Sequence, residues 1–218
     1  MRRTSAEMVF GCASVLLSYP DEGFADDVGG VGRALERLPA GSARDRLGTA
    51  VAWLAGMAPM EAAALYVDTF DLRRGTSLYL TYYRHGDTRE RGMALAALVD
   101  TYRMAGFTVS SGELPDFLPA MLELAAVETV GAAMLGEHRM ALDALHDALD
   151  QADSRYAAVV SAVGDALPAP SRADRDALRR YRAQGPPSEH VGLEPFAPPG
   201  VIAQGVTSQG VTMGATRR

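Results

Sequence analysis

Lysine is absent. All 21 cationic side chains are arginine, set against 27 aspartates and glutamates, which leaves a formal charge of −6 and a pI near 5.2. Phosphate binding needs a basic surface that releases counterions, so nucleic acid is excluded as the main partner. The arginine bias is read as base composition of the gene rather than as selected guanidinium chemistry. Cysteine is almost absent too: Cys12 stands alone, so no internal disulfide can form, which fits a reducing cytoplasm. It lies among Val9, Ala13 and Leu16 at helical spacing, as a packing residue does. Four scattered histidines give no zinc-ligand spacing. Aromatic residues make up only 7% of the chain, while Ala and Leu abound, a bias toward helices over sheets.

Long apolar runs are missing as well. No stretch approaches the roughly 18 residues that suggest a membrane span, so no stable membrane insertion is expected. Arg2-Arg3 followed by the apolar stretch Met8 to Leu17 imitates a secretion signal. Glu7 interrupts it, however, Ser18-Tyr19-Pro20 offers no small-residue cleavage site, and no twin-arginine consensus follows. The expectation is the first helix of a cytoplasmic protein. Catalytic constellations are also absent. No glutamate has a histidine three residues on, as a di-iron bundle would need. The glycines at 29, 30 and 32 lack the context of a phosphate loop, and there is no serine elbow. The chain reads as a binding module, not an enzyme, with no metal and no cofactor of its own.

What is present is helical periodicity. With 218 residues, 48% hydrophobic and 22% charged, the chain has an ordinary globular composition. Met8, Val9, Cys12, Val15, Leu16 and Tyr19 mark a first helix capped by Ser5 and stopped by Pro20. Phe24 to Leu38 form a second, and Ser42-x-x-Asp45 caps a third, with Trp53 half exposed beside its stripe. Pro59 opens a fourth, from Met60 to Phe70. The Leu78 to Tyr83 run is assigned to a helix because its surroundings are helical. Asp87 and Glu90 form an N-cap and N3 pair for the next helix, which Gly106 ends. A further helix starts around Asp116. Leu135, Leu142 and Leu149 recur every seven residues on one long helix, with His138 and His146 facing solvent. A last core helix ends before Pro168. The expectation is all-α: a single helical-bundle domain of about seven to nine helices over residues 4–168. Residues 169–218 form a mostly disordered Pro/Gly-rich tail with room for a short helix over 174–182. Within that tail, Leu193 to Phe196 is an apolar cluster that either docks on the domain or is incidental.

The chain is organised around residues 66–119, where most of its motif-like stretches fall, and half of its eight tyrosines lie between Tyr66 and Tyr83. Phe70-Asp71-Leu72-Arg73-Arg74, Leu78-Tyr79-Leu80-Thr81-Tyr82-Tyr83, Gly86-Asp87-Thr88-Arg89 and Glu113-Leu114-Pro115-Asp116 follow one another there. In this order they resemble the delta-subunit chaperones of respiratory nitrate reductase, the NarJ type of molybdenum-enzyme assembly factor. The resemblance covers roughly residues 8–126 and is densest in the middle. It implies a cytoplasmic chaperone that holds the apo catalytic (alpha) subunit of nitrate reductase by its N-terminal segment. Such a chaperone supports molybdenum cofactor insertion and releases its client for docking on the membrane subunit. Phe117 departs from the pattern, which more often carries His or Tyr after Pro-Asp. Two other readings stay open: a chaperone for another molybdoenzyme with a twin-arginine leader, and a helical regulatory protein with a small ligand in a tyrosine-lined cleft.

The client surface is placed on Tyr79, Tyr82, Tyr83, Arg84, His85 and Asp87, together with Leu114, Pro115, Asp116 and Phe117. The rings and Leu114 would supply an apolar wall for an amphipathic segment. Asp116 is either a helix N-cap or a contact for basic client residues, and Asp87 is a second such contact. His85 is either a helix-terminal histidine or a base. The charges at Asp68, Asp71, Arg73, Arg74, Arg84 and Asp87 either bind a ligand or fix the turn as ion pairs.

Overall fold

The computed structural model describes residues 4–109 and 112–188. The expected disorder beyond 188, with the Leu193 to Phe196 cluster and His190, lies outside the described residues. Among the described residues the chain forms eleven α-helices and a single isolated β-bridge, so the architecture is all-α.

The first helix, α1 (Ser5–Leu17), is capped by Thr4, one residue before the expected cap Ser5. Thr4 Oγ1 accepts from the Glu7 N–H at 3.2 Å, and the Thr4 N–H donates to Glu7 Oε2 at 2.8 Å, a reciprocal capping box. Val9, Phe10, Cys12, Ala13, Leu16 and Leu17 are buried along its inner face. That face packs on α2 (Phe24–Leu35), α3 (Ser42–Leu54), α7 (Leu118–Ala125) and α10 (Tyr156–Ala166). Ser42 is not a cap. It is the first residue of α3, and its hydroxyl donates to Asp165 Oδ2 at 2.9 Å, beside Arg46 Nε at 3.2 Å, which ties α3 to the end of α10.

α4 (Pro59–Tyr66) opens with proline, whose missing N–H costs nothing at a helix start. It does not continue as an α-helix to Phe70. A π-helical turn over Val67–Asp71 closes with the Leu72 N–H on Val67 O at 3.1 Å. The wider turn lets Tyr66 and Phe70 both reach inward. Ring centroids lie 4.9 Å apart from Tyr66 to Phe70, 4.8 Å from Phe70 to Tyr156 and 5.0 Å from Tyr156 to Trp53. Burial pushes the Tyr156 hydroxyl up to about 12. This ring chain joins the π-turn to the central helix α10, each contact adding about 0.5 to 1.5 kcal/mol beyond burial.

The long helix expected from Glu128 is broken. Leu135, Leu142 and Leu149 are all buried, as their spacing requires, but α8 (Thr129–Glu137) and α9 (Arg139–Gln151) part at His138. The two halves have different partners: α8 packs chiefly on α7, and α9 on α10 and α11 (Arg172–Gln184). His138 therefore sits at the break and does not face solvent. Its Nδ1 lies 2.9 Å from Met134 O, and a carbonyl accepts, so that nitrogen carries the proton. This break, together with α11, brings the number of helices among the described residues to eleven, α5 (Thr81–His85) standing where one was already expected.

Burial holds the His138 imidazole below its ordinary range, opposed by the bond to Met134 and reinforced by the Arg84 charge. In the window just below pH 6.5 the unfolded chain then binds a proton that the folded chain refuses, so stability falls as pH drops. His138→Asn keeps a donor near Met134 without the titration. Urea melts at pH 7.5 and 5.5 should show a smaller acid loss for the variant, and an equal loss would remove His138 as a contributor.

The packed body does not end at 168. α11 begins with a second capping box, in which Ser171 Oγ accepts from the Asp174 N–H at 3.1 Å and Asp174 Oδ2 accepts from the Ser171 N–H at 2.9 Å. The bond from Ser171 holds the Asp174 carboxyl below the usual carboxylate range. Leu178 is buried against the core, and Arg182 grips Asp147 of α9 through two nitrogens at 2.8 and 2.6 Å.

Candidate functional site

Leu78 and Leu80 are buried while Tyr79 between them is half-buried, an alternation of period two that belongs to extended chain and not to a helix. The Leu80 N–H donates to Asp116 O at 3.0 Å, and the Leu118 N–H donates to Leu78 O at 2.9 Å. Tyr79 and Phe117 thus face each other across an antiparallel bridge, with ring centroids 5.4 Å apart. The expected helix over Leu78 to Tyr83 is corrected accordingly: only Thr81–His85 is helical, as α5. Two stretches over thirty residues apart are pinned together by their backbones.

Asp116 fixes that pin. Its side chain is wholly buried, and Oδ2 accepts from the Thr81 N–H at 3.1 Å and from the Thr81 hydroxyl. Arg91 Nη2 stands 3.7 Å away, and Arg91 Nε donates to Thr81 Oγ1 at 3.2 Å. Neither expected role survives. Asp116 is not the cap of the helix that follows, whose N-cap is Phe117 without a side-chain bond, and it cannot meet a client from inside the protein. It closes the start of α5 instead.

Tyr83 is likewise inside, 1% exposed. Its hydroxyl donates toward Gly75 O at 3.0 Å and Ser77 O at 2.9 Å, stapling the 3₁₀ turn Arg74–Thr76 to α5, and burial holds it protonated far above the ordinary tyrosine range. As part of a client wall it is a correction: the ring is core. Pro115 is buried too.

The remaining expected residues lie at the surface. Tyr79 and Tyr82 are half-buried, and with Phe70, Asp71, Arg73, Arg74, Ser77 and Asp87 they line a cleft of about 320 Å³. The Tyr79 hydroxyl donates to Glu113 Oε2 at 3.3 Å, and burial together with that carboxylate raises its pKa. Phe117 is half-buried, and Leu114 is 40% exposed. Asp87 is not a cap either. The N-cap of α6 (Arg89–Met104) is Thr88, whose hydroxyl donates to His85 O at 2.8 Å, while Asp87 receives Arg74 at 3.4 Å and Arg91 at 3.5 Å. Arg73 holds Asp68 at 2.8 Å. The charged group is thus largely a set of surface ion pairs that shape the turn, each worth about 0 to 1 kcal/mol. Among the described residues Asp71 and Arg84 make no ion pair. His85 is half-buried, with Nδ1 3.6 Å from Glu90 Oε2, beyond hydrogen-bond length, and no nucleophile beside it.

Thr81, Arg91 and Glu113 belong to this site and were not expected. Thr81 and Asp116 are 35 positions apart, Tyr79 and Glu113 are 34 apart, and Arg91 and Thr81 are 10 apart, separations that no local pattern reports. Among the described residues no group of three or more His, Cys, Asp or Glu side chains is arranged to hold a metal ion, and no single helix is long and apolar enough to cross a membrane. What the cleft offers is two tyrosine rings beside mixed charge.

A family model described as the nitrate reductase delta subunit matches residues 36–162. The chain is 43% identical to a Mycobacterium tuberculosis (strain ATCC 25618 / H37Rv) protein named nitrate reductase-like protein NarX, over 72% of this chain but 24% of that protein's length. It is 33% identical to a Bacillus subtilis (strain 168) protein described as a probable nitrate reductase molybdenum cofactor assembly chaperone, NarJ, covering 77% of this chain and 92% of the relative. The corresponding chaperone NarJ of Escherichia coli (strain K12) is 37% identical over 66% of this chain and 63% of its own. In three dimensions the chain is similar to a crystal structure from Archaeoglobus fulgidus assigned to the redox enzyme maturation proteins. The TM-score is 0.56 at 19% identity, over 75% of this chain and 93% of the other, a likeness of fold.

Proposed function

The chain belongs to the nitrate reductase delta subunit family, and from that premise we propose that it is a cytoplasmic assembly chaperone, not an enzyme, for a respiratory nitrate reductase. It holds the apo alpha subunit by its N-terminal segment while the molybdenum cofactor enters that subunit, and lets go before the client docks at the membrane. The cofactor belongs to the client. The observation that carries this reading is the aromatic cleft of Tyr79 and Tyr82, set beside the half-buried Phe117 and the exposed Leu114 and backed by the Tyr79–Phe117 bridge. Amphipathic rings on a fixed scaffold can take the apolar face of a client segment at low entropic cost. The client surface is accordingly narrowed to Tyr79, Tyr82, Arg84, His85, Asp87, Leu114 and Phe117, with Pro115, Asp116 and Tyr83 as its support.

A micromolar complex corresponds to about −8 kcal/mol, and one ring buried on binding contributes roughly 1.5 to 3 kcal/mol. Tyr79→Ala and Tyr82→Ala should each weaken binding of a synthetic alpha-subunit N-terminal peptide by about tenfold in calorimetry, since about 1.4 kcal/mol is a factor of ten. Unchanged affinity in both folded variants would move the site elsewhere.

A further inference from the structure

The turn between α5 and α6 is already covered by the chain itself. α11 ends at Gly185, whose φ of +74° suits glycine and whose N–H returns to Tyr181 O at 2.7 Å. The next residues run back over Gly86, also left-handed at φ +57° and buried. A Cβ on Gly86 would overlap the Pro187 carbonyl, so bare glycine is required here for backbone to lie on backbone. α11 itself is well anchored: Leu178 is buried, Arg182 holds Asp147, and the Tyr181 ring lies 5.5 Å from that of Tyr83. The strap is not. Pro187 and Ser188 are exposed, the prolines have no N–H to donate, and among the described residues no hydrogen bond fastens Pro186 to Ser188. A firmly held helix therefore delivers a weakly held strap onto the middle of the cleft-side turn, between His85 and Asp87.

We infer that Pro186–Ser188 is a built-in occupant of the client site, which an incoming client segment displaces. The inference rests on the placement of the client at Tyr79 to Asp87. A site covered by its own chain in most molecules binds more weakly by the fraction left open, so a strap in place nine times in ten lowers affinity about tenfold. Release of the strap then raises affinity without any new contact. Such a device keeps the site closed to weak, unspecific segments and opens it to one that binds well.

The test uses the full chain, the synthetic alpha-subunit N-terminal peptide and two readouts. In calorimetry Pro186→Gly/Pro187→Gly, which loosens the strap and leaves the cleft intact, should bind the peptide several-fold more tightly than the parent. A fluorophore on Ser188→Cys, with Cys12 buried and unlabelled, should lose anisotropy as peptide is added. Unchanged or weaker affinity with constant anisotropy, while Tyr82→Ala still weakens binding, overturns the strap and leaves the client site standing. Peptide binding indifferent to Tyr79 and Tyr82 overturns both.

Discussion

Asp116→Ala is expected to remove about 3 to 5 kcal/mol of folding stability, the cost typical of breaking a buried ion pair from one side. The carboxylate has no exposed surface and accepts from both the backbone and the hydroxyl of Thr81, with Arg91 beside it. Truncation leaves the Thr81 N–H without its acceptor and takes the buried carboxylate from beside the Arg91 guanidinium, which keeps Asp87 at 3.5 Å on its outer side. Against a typical total of about 5 to 15 kcal/mol, that loss brings the chain near its unfolding threshold. Asp116→Asn should cost clearly less. Its amide oxygen can still accept from Thr81, and its NH₂ points where the second carboxylate oxygen of Asp116 has no hydrogen-bond partner. Urea unfolding of the two variants checks the order. Because Asp116 is inside, folded Asp116→Asn protein should bind client peptide with nearly parental affinity. A large loss of affinity at unchanged stability would instead mean that the carboxylate reaches the client.

How far the sequence could be read shows in the same region. The helical stripes were legible because each is a local pattern: the inner face of α1 and the leucines at 135, 142 and 149 are buried as their spacing demands, and Pro59 opens α4 as a first-turn proline does. What the period cannot carry is a change of partner. The break at His138 follows from α8 and α9 packing on different neighbours, and a continuous seam of leucines is blind to that. Leu78-Tyr79-Leu80 alternates for only three residues, too few to separate strand from helix without the backbone of Asp116 to Leu118 opposite. Asp116 reads locally as a cap for the helix after it, whereas its partner is Thr81, 35 positions earlier. The surface part of the proposed site, Tyr79, Tyr82, Leu114 and Phe117, was expected from residue chemistry, and these side chains do reach the surface. Its supports were not, because a support is defined by distant contacts.

Tyr83→Ala is the second large effect, and its contrast with Tyr82→Ala separates core from surface within adjacent residues. The Tyr83 ring is 1% exposed and lies against Tyr181 of α11 and, edge-on at 6.1 Å, against Tyr82. Removing a buried aromatic ring costs about 3 to 5 kcal/mol through lost transfer energy and the cavity left behind. The hydroxyl adds to this by holding the carbonyls of Gly75 and Ser77, which a phenylalanine would release for about 0.5 to 1.5 kcal/mol. The expected order of stability in urea is therefore parent, then Tyr83→Phe, then Tyr83→Ala. Tyr82 lines the cleft and is only half-buried, so its alanine variant should lose little stability and most of its peptide affinity. A Tyr83→Ala protein as stable as the parent but unable to bind peptide would place that ring in the client's path, and the 3₁₀ turn at Arg74–Thr76 would then need another staple.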